Sequence, residues 1–176
     1  MLTEFQKRKL TVQFHQLDLN NDGILELADY EECARKACEV LGFSPGSPEC
    51  DLVYTRTVED RKFLFKDKAK RTVDDFLKAS DHTIHDEALF NKLLVEYSQS
   101  MLELWDQDDD KRLSADEYVK LEWCYGVTEE EAREAFRHLD RDGDGYLTLE
   151  EIMKAIKEFY LSDDPDAPGN WLFGPY

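Results

Sequence analysis

Basic residues are scarce in this chain of 176 residues. Lysine and arginine together number 22 against 40 aspartates and glutamates, so the net charge is -18 with histidine neutral. Proteins that bind nucleic acid need a basic surface that displaces counterions from phosphates, and anionic membranes attract clusters of basic residues. The charge balance therefore disfavours nucleic acid and membrane surfaces as partners.

Long apolar segments are also missing. No uninterrupted apolar run exceeds three residues, so no stretch can span a bilayer, and the start of the chain lacks the apolar segment of a secretory signal. With 41% hydrophobic and 12% aromatic residues, the chain can still bury a core. We expect a cytoplasmic, monomeric globular protein of one domain or two small lobes.

The cysteines show no metal-binding pattern. Cys33, Cys38, Cys50 and Cys124 form no C-x-x-C pair and have no nearby histidine at zinc-ligand spacing. Neither a zinc site nor a disulfide scaffold is indicated, so we expect four reduced thiols.

Acidic residues concentrate in three segments, 18–29, 106–117 and 140–151. Each has a net charge of -4, so together they hold -12 of the total -18. Like charge at this density is unfavourable unless a cation neutralises it. The pattern predicts three sites for divalent cations.

The last segment has the spacing of a twelve-residue EF-hand calcium loop. Side chains at positions 1, 3 and 5 converge on one point, Gly145 at position 6 permits a sharp turn, position 7 offers its carbonyl, and glutamate at position 12 offers two oxygens. The candidate ligands are Asp140, Asp142, Asp144, Tyr146 and Glu151.

The first segment departs from this spacing at position 12, where aspartate replaces glutamate. Its candidate ligands are Asp18, Asn20, Asp22, Ile24, Glu26 and Asp29. Asp29 is one methylene shorter than glutamate, so bidentate coordination is harder and a six-coordinate site that suits Mg²⁺ is easier. We expect divalent-metal binding with weaker calcium selectivity and Mg²⁺ competition, partly compensated by Glu26.

The middle segment lacks the glycine at position 6, where Lys111 stands. Its candidate ligands are Asp106, Asp108, Asp110, Arg112 through its carbonyl, and Glu117. A positive φ at a residue with a side chain costs about 1 kcal/mol, which reduces affinity without abolishing the site. The side chain of Arg112 is expected to point outward.

Apolar residues recur at matching positions around all three loops, including leucines at position 8, which are Leu25, Leu113 and Leu147. This repeat predicts helix–loop–helix units that pair through a short strand at position 8. The last two loops can pair with each other. The partner of the first is predicted at about 61–78, where Phe63, Leu64 and Phe65 precede a loop with cations in place of ligands: Lys66, Lys68, Lys70 and Arg71.

The predicted fold is all-α, with four EF-hand units in two facing lobes and a degenerate second hand. Helices are expected over 2–17, 29–41, 48–65, 73–80, 86–105, 118–125 and 128–139, followed by a last helix up to about 160. Thr128 and Glu131 form a capping box. The predicted domains are 1–80, 81–160 and a tail, 161–176.

The arrangement resembles the sarcoplasmic calcium-binding protein and calerythrin family over essentially the whole chain. The segments that carry the resemblance are DLNNDGILELAD, DQDDDKRLSADE and DRDGDGYLTLEE, with KDKAKRTVDDF at the silent hand. The resemblance implies two lobes facing each other across a shared apolar interior and a role as a cytosolic calcium buffer or modulator. It also suggests that the aromatic tail, with Trp171 and Phe173, folds back between the lobes.

Three functions stay open at this point. Only three methionines occur, which favours a buffer over a calcium sensor that exposes a methionine-rich groove to a protein target. A third possibility is a calcium-triggered carrier of a hydrophobic ligand. Catalytic motifs are missing, so we expect no enzyme, and His82 and His85 are interpreted as solvated residues of the connector between the lobes.

Overall fold

A computed structural model describes residues 1–58 and 68–175, and within them the chain forms eight α-helices and four short strands. The helices are α1 (Glu4–Leu17), α2 (Leu27–Leu41), α3 (Pro48–Thr57), α4 (Val73–His85), α5 (Glu87–Trp105), α6 (Ala115–Trp123), α7 (Glu129–Leu139) and α8 (Leu149–Leu161). The strands are β1 (Leu25–Glu26), β2 (Lys70–Arg71), β3 (Arg112–Ser114) and β4 (Tyr146–Thr148), and a 3-10 helix (Pro168–Trp171) follows α8. The predicted all-α class is confirmed. None of these helices is both long and apolar enough to cross a bilayer.

The strands join the hands in pairs. β1 runs antiparallel to β2, with Leu25 opposite Arg71, and β3 runs antiparallel to β4, with Leu113 opposite Leu147. Each ladder satisfies backbone groups that a single short strand would leave unpaired. The predicted pairing at position 8 is therefore confirmed in both halves of the chain.

Most helices start at a capping box. In this motif the N-cap side chain accepts the backbone amide of the third helical residue, and the side chain of that residue accepts the backbone amide of the N-cap. The predicted box of Thr128 and Glu131 is present at α7. In α6 and α8 the box consists of loop positions 9 and 12, namely Ser114 with Glu117 and Thr148 with Glu151. The start of each exit helix is thus built from the end of its loop.

The connector between the halves is shorter than predicted. α4 continues to His85, and Asp86 alone separates it from α5, where its carboxylate accepts the Leu89 amide at 3.0 Å. The placement of His82 and His85 in a connector was wrong, since both lie in the last turn of α4. No glycine or proline lies between 80 and 86, so nothing stops the helix earlier.

The position-8 leucines lie in the core. Leu25, Leu113 and Leu147 are buried, and they share one hydrophobic cluster with Phe14, Tyr118 and other helical residues of both halves. Because each of these leucines sits on a strand between two helices, burying it fixes the loop against the core.

Lys9 joins α1 to the end of α8. Its side chain is fully buried, and its ammonium donates to the carbonyls of Glu158 (3.3 Å) and Ser162 (3.0 Å) and to Oδ1 of Asn170 (2.9 Å). Burial lowers the pKa of Lys9 to about 8, against the opposing attraction of Asp163 and Glu158. Lys9 thus satisfies the Ser162 carbonyl just past the end of α8 and is a second donor to the Glu158 carbonyl, which already accepts the Ser162 amide. It links the first hand to the tail.

The tail packs against helices of both halves. Leu172 is 2% exposed, and its carbonyl accepts the hydroxyl of Tyr118 at 3.0 Å. The carbonyl of Phe173 accepts Nε2 of Gln16 on α1, and the ring of Trp171 stacks on His138 with 4.2 Å between centroids. Residues beyond α8 therefore contact α1, α6 and α7.

The expectation of four reduced thiols was wrong. Cys38 and Cys50 form a disulfide that joins α2 to α3, with 5.5 Å between their Cα atoms. The turn between these helices brings together two cysteines twelve positions apart, a separation without a recognisable motif. Cys33 and Cys124 are buried thiols.

Part of the predicted second hand lies outside the described residues. This applies to Phe63, Leu64, Phe65 and Lys66, and to the last part of the helix predicted over 48–65. Lys68, Lys70 and Arg71 are described, and the last two form β2.

Candidate functional site

The three acidic segments are called loop 1 (18–29), loop 3 (106–117) and loop 4 (140–151). Each has the same pattern of hydrogen bonds between carboxylates and backbone amides. In loop 1, Asp18 accepts the Gly23 amide at 2.8 Å, and Asp22 accepts the Ile24 amide at 2.8 Å. Position 1 therefore binds the amide of position 6, and position 5 binds the amide of position 7. These bonds turn the backbone around a common centre.

Loops 3 and 4 repeat these bonds. The position-1 carboxylates of Asp106 and Asp140 each accept the position-6 amide at 2.9 Å. At position 5, Oδ1 of Asp110 accepts the Arg112 amide and Oδ1 of Asp144 accepts the Tyr146 amide, both at 2.9 Å. One oxygen of each position-5 carboxylate is thus used within the loop, and Oδ2 is left for another partner.

The backbone is left-handed twice in each loop. Position 6 has φ of 79° at Gly23, 69° at Lys111 and 88° at Gly145. Lys111 therefore adopts the costly conformation that its position implies, and its ammonium pairs with Asp109. Position 4 is also left-handed, a feature that the sequence analysis missed; its residues, Asn21, Asp109 and Gly143, are of the types that tolerate positive φ best.

Position 12 folds back over loops 3 and 4. Glu117 accepts the Gln107 amide at 2.7 Å with Oε1 and the Ser114 amide at 2.8 Å with Oε2. Glu151 makes the equivalent bonds to the amides of Arg141 and Thr148 at 3.2 and 3.0 Å. The carboxylate of position 12 is thereby held above the loop by both of its oxygens.

Asp29 takes this position in loop 1. Its Oδ2 accepts the Glu26 amide at 2.9 Å, and the side chain is buried. Burial raises the pKa of Asp29, with a further contribution from the charge of Asp18. Glu26 itself, predicted to compensate for the short Asp29, forms an ion pair with Lys70 of the second hand at 2.8 Å.

The prediction that the Arg112 side chain points outward was wrong. Its guanidinium donates to Oδ2 of Asp110 at 3.0 Å and lies 3.6 Å from Oδ2 of Asp144 in the other loop. It also stacks over the ring of Tyr146, 3.7 Å from the centroid. The β3–β4 ladder places the two loops side by side, and this proximity lets one cation reach both carboxylates.

Two groups of carboxylates are arranged as metal ligands. One consists of Asp106, Asp108 and Glu117 and the other of Asp140, Asp142 and Asp144, each with one oxygen per residue within 4.8 Å of the others. Such hard oxygen donors suit Ca²⁺ or Mg²⁺. The acidic residues of loop 1 do not form such a group within the described part of the chain; an amide, Asn20, stands at its position 3.

Paired helix–loop–helix units with such loops are the architecture of EF-hand calcium-binding proteins. The family description "EF-hand domain" matches residues 131–162, which include most of α7, loop 4 and all of α8. Within this class the chain resembles calerythrin of Saccharopolyspora erythraea. The two are 27% identical over 168 residues, which cover 92% of this chain and 95% of calerythrin.

Solved structures share the fold. The coelenterazine-binding protein of Renilla muelleri, in its calcium-loaded apo form, superposes with a TM-score of 0.80 at 20% identity and covers 99% of this chain and 100% of its own. A calcium-binding protein of Streptomyces coelicolor gives a TM-score of 0.71 at 21% identity, covering 90% of this chain and 99% of its own. At these identities the likeness is one of fold.

Proposed function

We propose that the chain is a calcium buffer or signal modulator with three sites, in loops 1, 3 and 4. Calcium is a hard cation that would accept six to eight oxygen ligands in each site. The proposed ligands are Asp18, Asn20, Asp22, Ile24, Glu26 and Asp29 in loop 1; Asp106, Asp108, Asp110, Arg112 and Glu117 in loop 3; and Asp140, Asp142, Asp144, Tyr146 and Glu151 in loop 4. The carbonyls of Ile24, Arg112 and Tyr146 are the donors at position 7. Mg²⁺ would compete most strongly at loop 1.

The position of Leu172 is the main observation that favours a calcium buffer over a calcium sensor. This tail residue lines one small pocket together with Met101, Tyr118, Leu147 and Ile152, between the helices of the C-terminal hands. A sensor separates such helices to offer an apolar groove to a target. Because the chain's own tail already covers this apolar surface, binding with little opening is favoured.

The distribution of apolar side chains also supports a buffer over a target-binding sensor. Met101 is buried, and the exposed large hydrophobic residues of the described chain are spread over the N-terminus and four helices, with two of them on α3: Met1, Leu52, Tyr54, Val95, Trp123 and Leu161. Single exposed apolar residues are common on proteins and do not form a docking groove.

Carriage of a hydrophobic ligand, the property named for the Renilla muelleri protein, has less support here. A cavity lined by Tyr97, Trp105, Tyr125 and their neighbours has a volume of about 20 Å³, which is room for about one water molecule. Trp171 and His138 stack on each other. At these two places of the described chain, aromatic side chains occupy the space themselves.

The proposal further includes a monomer without enzymatic activity, since its carboxylates are engaged in the loops. A cytoplasmic location belongs to it too. The Cys38–Cys50 disulfide is the feature that opposes this location, because disulfides persist mainly in oxidising compartments.

Calorimetric titration of the full chain with Ca²⁺ tests the number of sites. Three sites are expected, and Asp22→Ala, Asp108→Ala and Asp142→Ala should each remove or strongly weaken one of them. Two or fewer sites in the unmodified chain would contradict the proposal.

Binding of a hydrophobic dye distinguishes a buffer from a sensor. Dye fluorescence should stay low both in chelator and in excess Ca²⁺. A large rise on calcium addition would instead support a sensor, and a visible absorption band in the purified protein would support a ligand carrier.

A further inference from the structure

Arg112 occupies an unusual place between the two C-terminal loops. It is the position-7 residue of loop 3, and it stacks on Tyr146, the position-7 residue of loop 4. From this stacked position its two terminal nitrogens face Oδ2 of Asp110 and Oδ2 of Asp144, at 3.0 and 3.6 Å. One side chain thus contacts the same carboxylate oxygen of the same loop position in both hands.

These two oxygens differ from the other oxygen of the same carboxylate in their bonding within the loop. Oδ1 of both carboxylates is already bound to the position-7 amide of its own loop. Oδ2 is therefore the position-5 oxygen that is not engaged by an amide of its own loop, and in both loops it faces the guanidinium. Arg112 stands where it competes with metal for one ligand in each site.

The two carboxylates differ in a way that fits this competition. Asp144, the more distant partner, lies within the ligand group of its loop, together with Asp140 and Asp142. Asp110, the nearer partner, is not part of the group formed by Asp106, Asp108 and Glu117. The tighter contact with Arg112 thus coincides with the carboxylate that stands apart from its ligand cluster.

From this geometry we infer that Arg112 is an internal counter-cation shared by loops 3 and 4, which sets their calcium affinity and couples them. The inference rests on the proposed binding of calcium by these two loops. Without metal, the guanidinium pairs with both position-5 carboxylates, offsets one of their two negative charges and holds the loops together. Before either Oδ2 can become a ligand, the guanidinium must release it.

Coupling follows because one guanidinium serves two sites. Release from the first loop removes one of its two carboxylate anchors and leaves it close to a bound cation of like charge, which repels it. The second loop is therefore freed at lower cost than the first. Arg112 makes the first binding step weaker and the second relatively stronger, so the two loops fill cooperatively.

The test compares three variants of the full chain in which loop 1 is weakened by Asp22→Ala. Arg112→Gln removes the bridge, and Arg112→Lys keeps the charge but replaces the planar guanidinium, whose two terminal nitrogens each face one carboxylate, by a single ammonium. Arg133→Gln is the matched control, since Arg133 is equally exposed (39% against 36%) and pairs with Asp116 and Glu129, which are not proposed ligands. Calorimetry gives both stepwise calcium affinities, and thermal unfolding in chelator measures the metal-free state.

Arg112→Gln should raise the first-step affinity about fivefold to tenfold, the combined size of an exposed ion pair and a cation–π contact. It should also reduce the ratio of the second to the first stepwise constant. Arg112→Lys should lose the coupling as well, and Arg133→Gln should change either constant less than about twofold. In chelator, Arg112→Gln should unfold at a lower temperature than Arg133→Gln, because two facing carboxylates lose their shared partner.

Equal effects of Arg112→Gln and Arg133→Gln on both affinities and on unfolding in chelator would overturn the inference, because net charge alone would then explain them. Unchanged coupling in Arg112→Gln would overturn the shared role. If the parent chain bound no calcium at loops 3 and 4, the proposed function of these loops would fail. The unfolding comparison in chelator would still decide whether Arg112 bridges them.

Discussion

The ammonium of Lys70 lies 2.8 Å from Oε2 of Glu26, and the two residues are direct partners in the β1–β2 ladder. Lys70 belongs to the second hand, and Glu26 is position 9 of loop 1. Hydrogen bonding and attraction to Glu26, with a smaller contribution from Asp22, raise the pKa of Lys70. The degenerate hand therefore supplies a positive charge to the loop beside it.

We expect Lys70→Gln to raise the cation affinity of loop 1 about twofold to fivefold, the range of an exposed ion pair. The change frees Glu26 and removes a cation that opposes metal binding. Calcium titration measures the affinity of loop 1 in a chain whose other loops are weakened by Asp108→Ala and Asp142→Ala. Lys68→Gln is the control, because Lys68 pairs with Asp75 outside loop 1; equal shifts in both variants would contradict a specific role of Lys70.

Position 12 should control the choice between Ca²⁺ and Mg²⁺. Asp29→Glu should increase calcium affinity relative to magnesium at loop 1, because a longer side chain can offer both oxygens to the larger ion. The reciprocal change, Glu117→Asp, should lower the same ratio at loop 3. Competition titrations measure the ratio of calcium to magnesium affinity at each loop. If neither ratio changed, ion selectivity would not depend on position 12.

Leu172 should stabilise the fold strongly for a tail residue. Leu172→Ala removes a side chain that is 2% exposed, so the free energy of unfolding should fall by about 2–4 kcal/mol. Leu161→Ala provides a control with the same chemical change at a side chain that is 46% exposed, and it should cost less than about 0.5 kcal/mol. Urea unfolding of both variants gives the values; a similar small loss in both would mean that the tail does not stay packed.

Glu122 should reduce stability at neutral pH. It is buried, neither carboxylate oxygen has a hydrogen-bond partner among the described residues, and burial raises its pKa well above the usual range. Above the ordinary glutamate pKa, the folded chain retains a proton that the unfolded chain has released, so stability falls as pH rises toward the raised pKa. Glu122→Leu should therefore raise the free energy of unfolding at pH 7 by about 1–3 kcal/mol.

Unfolding in chelator between pH 5 and 8 checks the role of Glu122. The advantage of Glu122→Leu over the parent chain should grow with pH across this range. Glu130→Leu, a change at an exposed position of α7, should shift stability by less than about 0.5 kcal/mol. A lower stability of Glu122→Leu at all pH values would show that the carboxyl has a stabilising partner.

Sequence spacing was sufficient for the features that depend on neighbouring residues. The positions of the three loops, the strands at Leu25, Leu113 and Leu147, and the helix start at Thr128 follow from local periodicity and capping. The positive φ of Lys111 also follows from its loop position. These features need only contacts within a few turns of the chain.

The folded chain alone decided which distant residues meet. Arg112 and Asp144, Lys70 and Glu26, and Cys38 and Cys50 are brought together by strand pairing or by a helix turn. Leu172 reaches Tyr118 only because the tail folds back over the helices. Ligand spacing repeats within a loop and is visible in the sequence, whereas the cations that oppose these ligands come from neighbouring loops, and their approach depends on packing that no local pattern encodes.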